Sequence, residues 1–219
     1  VMEKIVKNPD RSPPQYGKIV YITIAESMGV EDPYKEIKKK YNDIALSYLP
    51  ESQKIIDESQ EPIKSALLLA AMGNSIDFGA SHKIDMKTDF ENFESHSLEP
   101  TAVDELIKEI EKATSILVLG DNCGEIVFDK LLLETIKKTF PDKKYYYAVR
   151  GGPTINDITI DDAIYIGMDK IVEVVKASQS PGIIYEECSL EFQKAFDSAD
   201  VIISKGQGNF ESLVDYELK

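Results

Sequence analysis

Cysteine occurs only twice, as Cys123 and Cys188, and histidine only twice, as His82 and His96. Their spacing fits neither a zinc motif nor a disulfide framework. Both cysteines are therefore expected as reduced thiols, Cys123 in a packing role, and both histidines as ordinary surface residues. Basic residues are also scarce: 25 Lys and Arg stand against 39 Asp and Glu, a formal net charge of −14. Affinity for nucleic acid rests on Lys and Arg neutralising phosphates, so nucleic acid and anionic membranes are poor partners. No uncharged apolar run reaches the ~18 residues of a membrane span, and the N-terminus lacks the basic-then-apolar pattern of a secretory signal. A soluble, cytoplasmic protein is expected, and no internal repeat is found.

What is present is the composition of a folded chain. Its 219 residues are 42% hydrophobic and 29% charged, enough for one large domain or two small ones with real cores. Residues 1–100 read as a helical lobe. Helical patterns run from Gly17 to Val30 and from Pro33 to Tyr48, with Asp32 as a cap and Pro33 at the first helical position. Pro62 opens another, in which Ile63, Ala66, Leu67, Ala70 and Ala71 share one face. The polar stretch from Ile84 to Pro100 reads as a solvated loop. A helix over Thr101 to Ala113, with Thr101 as its cap, leads into the second part.

Residues 101–219 alternate strand and helix. Apolar or β-branched runs at Ile116 to Gly120, Lys144 to Arg150, Ile171 to Val175 and Val201 to Ser204 are separated by helical patterns at Glu125 to Phe140, Asp161 to Met168 and Leu190 to Ser198. That order predicts a Rossmann-like three-layer α/β/α domain with a mostly parallel sheet, preceded by the all-helical part. Polar motifs follow the strands, so the chemistry should gather at the carboxyl edge of the sheet.

Three motifs stand there. Asp121-Asn122-Cys123-Gly124-Glu125 offers carboxylate and amide oxygens, hard donors suited to magnesium or manganese, at the start of a helix whose free N–H groups favour an anion. An ordinary N-cap is the alternative reading. Arg150-Gly151-Gly152-Pro153 turns the chain sharply, and Asn156-Asp157 then presents a second amide and carboxylate, with Asp157 the third ligand candidate. Asp161 is placed to cap the next helix and Asp162 to sit in its first turn. Arg150 has two readings, a fork for phosphate or a partner for a neighbouring acid. Lys205-Gly206-Gln207-Gly208-Asn209 permits close backbone approach to a ligand and adds a point charge, which suits a phosphate. Tyr145, Tyr146 and Tyr147 fit a strand.

These motifs, in this order behind a helical lobe, resemble the damage-control phosphatase family, which is related to proteins described as protein-glutamate methyltransferases. The resemblance implies that Asp121, Asn122 and Asp157 are metal ligands, that Lys205 contacts phosphate, and that Asn74 and Asp77, within Gly73-Asn74-Ser75-Ile76-Asp77-Phe78-Gly79, meet the substrate. Stand-alone microbial members carry a paired-cysteine motif near the N-terminus that is absent here, and members continue past the glycine-rich loop, so the carboxyl end is expected to be cut short. The expected function is hydrolysis of a small phosphomonoester, a sugar phosphate or damaged phosphometabolite, with a divalent cation such as Mg, Mn, Co or Ni. Catalytic residues would be Asp121, Asp157 and Lys205, with Glu125, Arg150, Asn156, Gly206 and Asn209 beside the substrate. An S-adenosylmethionine-dependent carboxyl methyltransferase is the rival enzyme, although the loop after the first strand holds one glycine, Gly124, where a cofactor loop would hold several. A non-catalytic metabolite-binding module is the other rival. The oligomeric state and the attacking group, a water or a carboxylate such as Asp121, stay open.

Overall fold

The computed structural model describes residues 13–73 and 97–214. Among them the order is α1 (Pro13–Met28), α2 (Lys35–Ser47), α3 (Leu49–Glu58), α4 (Pro62–Met72), α5 (Pro100–Lys112), β1 (Ser115–Leu119), α6 (Glu125–Thr139), β2 (Lys144–Val149), α7 (Ile160–Ile166), β3 (Glu173–Lys176), α8 (Leu190–Ser198), β4 (Val201–Ser204) and α9 (Gln207–Leu213). The four strands form one parallel sheet in the order β3-β2-β1-β4. The Rossmann-like α/β architecture expected from the alternation is therefore present, preceded by helices. None of these helices is long and apolar enough to cross a membrane.

Both faces of the sheet are covered, which is why β1 is apolar throughout and wholly buried. Ile116 and Val118, with Tyr145, Tyr147 and Val149 of β2, face one cluster that includes Ala45, Ile56, Ala66, Leu69, Ile110 and most of the buried side of α6. Leu117, Leu119 and Ala148 face a second cluster built on Phe192, Ala195 and Phe196 of α8. Each such large apolar side chain removed from water contributes about 1.5–3 kcal/mol. The helix leaving β1 thus covers one face and the helix entering β4 the other. Between β1 and β4 the topology reverses, opening a crevice at their carboxyl ends.

Element ends differ from the sequence reading for local reasons. Helix α2 begins at Lys35 behind Tyr34, because the Asp32 carboxylate accepts the Tyr34 N–H at 2.9 Å and pairs with Lys38 at 3.1 Å instead of capping a helix at Pro33. Helix α5 is capped by Glu99, which accepts the Ala102 N–H, so Thr101 lies inside it. Thr159, in a capping box with Asp162, caps α7 in place of Asp161. Two helices had no counterpart in the periodicity, α3 and α9, the latter begun by Gly206 of the glycine-rich motif.

Asp200 joins the starts of β1 and β4. Its carboxylate accepts from Thr114 N at 2.8 Å, Thr114 Oγ1 at 2.7 Å, Ser115 N at 3.0 Å and Ser115 Oγ at 3.1 Å. Those bonds, Thr114 foremost, hold its pKa down at about 2. A folded pKa below the unfolded one adds stability above the unfolded value of about 4, and loses it as pH falls through the folded value. Asp200→Ala is expected to unfold at lower urea than wild type at pH 7, with the gap closing between about pH 4 and 2.

Candidate active site

Asp121 and Asp157 approach each other because their two loops pair as backbone. Asn122 and Asp157 form an isolated antiparallel bridge, Cys123 N donates to Asn156 O at 2.9 Å, and Ile158 N donates to Asp121 O at 2.9 Å. Beside the bridge, Ile155 has φ 41°, a left-handed backbone that a β-branched residue adopts only under strain, and such strain gathers at functional sites. The buried guanidinium of Arg150 lies between the carboxylates. Its Nε donates to Asp157 Oδ2, one terminal nitrogen to Asp121 Oδ1 at 3.2 Å and the other to Asn209 Oδ1 at 2.7 Å. Arg150 is thus paired with neighbouring acids, one of its two readings. Asn209 is fully buried, and its amide nitrogen donates to Lys205 O at 2.8 Å and Gly120 O at 3.3 Å, so the side chain orients Arg150.

A second, partly buried cation adjoins the first group. Lys205 Nζ donates to Glu125 Oε2 at 2.7 Å, Asp129 Oδ1 at 2.7 Å and Ala70 O at 3.0 Å, which uses its three hydrogens. Tyr147 OH donates to the other Asp129 oxygen at 2.7 Å. Asn122 Nδ2 donates to Asp121 Oδ2 and Glu125 Oε1, both at 2.9 Å, linking the two cations' acids. Because those neighbours are both carboxylates, the amide nitrogen must face them, and Oδ1 points away. Asn156 is buried with its carbonyl on Cys123 N. Asn74 and Asp77, like both histidines, lie outside the described residues.

Four carboxylates, of Asp121, Glu125, Asp129 and Asp157, thus meet two side-chain cations, Arg150 and Lys205. Burial first, then repulsion from Asp157, pushes the Asp121 carboxyl up to about 7, with Arg150 and Lys205 pulling the other way. Burial likewise raises Glu125, against Lys205. The Cys123 thiol is driven well above its ordinary value by burial and then by Asp162, which keeps it neutral and in a packing role. Among the described residues, no group of three or more His, Cys, Asp or Glu side chains is arranged for a metal ion, so the candidate set is two carboxylates and an amide. A cleft of about 680 Å³ lies alongside, between α2, Gly151 to Pro153 and the start of α7. Of the predicted ligands and catalytic residues none lines it, and among the other described site residues only Arg150 reaches it.

Gly206 is required by Asp121. Its φ is 83°, and a Cβ there would stand 2.1 Å from the Asp121 carboxylate. Gly206→Ala should lose about 1–3 kcal/mol through backbone strain and displace that carboxylate. A lowered melting temperature together with impaired activity is expected; an unchanged activity would detach Gly206 from the site.

The sequence reading missed Asn42, Lys38, Asp129 and Tyr147. Asp129 had a signal, since its spacing from Glu125 puts both acids on one face of α6. The others had none, because the contacts that tie them to the site, Lys38 to Asp162, Asn42 to Gly124 and Tyr147 to Asp129, are remote in the chain.

The family model described as the damage-control phosphatase ARMT1-like domain matches residues 2–219. An uncharacterized protein of Methanocaldococcus jannaschii is 39% identical over 213 residues, covering 94% of this chain and 69% of that protein. A protein named damage-control phosphatase from Archaeoglobus fulgidus is 36% identical over 206 residues, 91% of this chain and 70% of its own length. The crystal structure of a DUF89 family protein from Pyrococcus horikoshii superposes with a TM-score of 0.78 at 32% identity, over 91% of this chain and 70% of that one.

Proposed function

The chain belongs to the damage-control phosphatase ARMT1-like domain family, and from that premise we propose that it is a divalent-metal-dependent phosphatase of small phosphomonoesters, of the sugar-phosphate or damaged-phosphometabolite class. The observation that carries the metal is the charge of the site: carboxylates from two strand ends converge on one buried guanidinium, and the cluster retains two more acids than cations. A divalent cation held by Asp121, Asn122 and Asp157 fits that imbalance, and all three present hard oxygen donors. When bound, it would polarise a phosphoryl oxygen and neutralise charge developing in the transition state.

The protein's own groups have separable tasks. Arg150, oriented by Asn209, holds the two carboxylates apart at a fixed spacing. Gly206 leaves room for the Asp121 carboxylate. Lys205 fixes Glu125 and Asp129, and it meets phosphate by giving up Ala70 O, at 3.0 Å the longest of its three contacts. Asn74 and Asp77 are assigned to the non-phosphate part of the substrate.

The test is phosphate release from a panel of phosphate esters with Mg, Mn, Co or Ni, beside a chelated sample. Metal-dependent release is expected. No release with any metal overturns the reading, and methyl esters formed on adding S-adenosylmethionine would replace it with carboxyl methylation.

A further inference from the structure

We propose that Lys38 and Asn42, one turn apart on α2, are positioning residues that hold the two candidate ligand loops in mutual register; the inference rests on the metal-dependent reading above. Neither residue lies at the sheet edge or in any of the three motifs, yet their spacing puts both on the same helix face, turned toward those loops.

Asn42 is fully buried and its Oδ1 accepts the Gly124 N–H at 2.7 Å. Gly124 closes the Asp121–Asn122 loop with φ 91° and precedes α6, so its N–H is one of the helix-start donors that lack an intrahelical partner. Lys38, 2% exposed, pairs with Asp162 at 2.8 Å and Asp32 at 3.1 Å. The same Asp162 oxygen accepts Thr159 N at 2.9 Å and Thr159 Oγ1 at 2.6 Å, two residues beyond Asp157. One turn of α2 therefore grips the loop after β1 through Asn42 and the loop after β2 through Lys38. The backbone bridge from Asn122 to Asp157 completes a closed circuit.

Packing alone does not account for these residues. Asn42 Nδ2 faces only the Cys123 thiol, a weak acceptor, and has no nitrogen or oxygen partner among the described residues. A buried donor left to a weak thiol acceptor and a buried ammonium are both unfavourable relative to apolar side chains of similar size. Their benefit is directional: Asn42 meets the Gly124 N–H, and Lys38 meets the Asp162 carboxylate that binds Thr159 at the end of the second loop, which a leucine or methionine cannot do.

The experiment compares wild type with Asn42→Leu and Lys38→Met, using Ala45→Gly, whose side chain forms no polar contact with either loop, as a control that loosens α2. Two quantities are read: Mn²⁺ affinity by titration calorimetry, and amide hydrogen exchange over residues 120–125 and 156–162. Groups that orient ligands typically change metal affinity by about 10–100-fold, and a loss of that size is expected in Asn42→Leu, with faster exchange in both loops and β1 unaltered. Ala45→Gly should melt earlier yet bind Mn²⁺ as wild type does. Wild-type affinity in Asn42→Leu overturns the proposal. So does an equal loss in Ala45→Gly, which would make the effect one of helix stability. Should Lys38→Met fail to fold, Asn42→Leu decides alone. If wild type binds no Mn²⁺, the metal reading fails on its own, and unaltered loop exchange in the variants would then overturn the positioning role.

Discussion

Alanine at Asp121 or at Asp157 is expected to lower metal-dependent phosphate release by about 10²–10³-fold, the loss that follows removal of one preorganised charge-stabilising group. The two acids leave from different strands and share one guanidinium, so they act as a unit. The double variant should therefore be little worse than either single one. They are not equivalent, because burial and its neighbour raise the Asp121 carboxyl to about 7. Steady-state phosphate release at saturating Mn²⁺, with melting temperatures as a check on folding, measures the effect. Full release in both variants would remove these residues from the chemistry.

The largest effect on stability is expected at Arg150. Arg150→Ala leaves Asp121 and Asp157 facing each other in a buried site and strips Asn209 of its partner. Breaking a buried ion pair from one side is destabilising by about 3–5 kcal/mol. For a protein of this size that is a fall in melting temperature of about 6–20 °C. Arg150→Lys should recover only part of it, since an ammonium donates from a single point and cannot match the spaced, planar nitrogens that reach Asp157, Asp121 and Asn209. Mn²⁺ should raise the melting temperature of Arg150→Ala by more than that of wild type, because a bound cation would then supply the missing positive charge. Thermal denaturation with and without Mn²⁺ reads both quantities. A variant that melts with wild type would show that the carboxylates do not depend on the guanidinium.

Much of the α/β part was legible in the residues. Leu190–Ser198 and Val201–Ser204 form as the pattern indicated, and the other strands shift by a residue or two at their ends. The helices at Leu49–Glu58 and Gln207–Leu213 escaped detection. One follows directly on another helix behind a proline in its first turn, and the other hides in a glycine-rich motif whose glycines read as a turn. The site was legible as a set of loops and not as a set of contacts. Asp121, Asn122 and Asp157 group from the sequence because parallel strands deliver the loops that follow them to one edge. The residues alone leave Arg150 between two readings and give Lys205 no acid partner, because a cation's partner depends on which acids the fold brings near.

Local sequence determined the strands, most helices and the gathering of acids at the sheet edge, since apolar periodicity and turn residues act over a few neighbours. Tertiary structure alone decided how the buried polar groups are paired over long range. Arg150 meets Asn209 across 59 positions, Gly124 meets Asn42 across 82, and Lys205 meets Ala70 across 135. The physical reason is the cost of burying an unpaired polar group, which is met only where the completed fold supplies a partner, and no local pattern encodes where that will be.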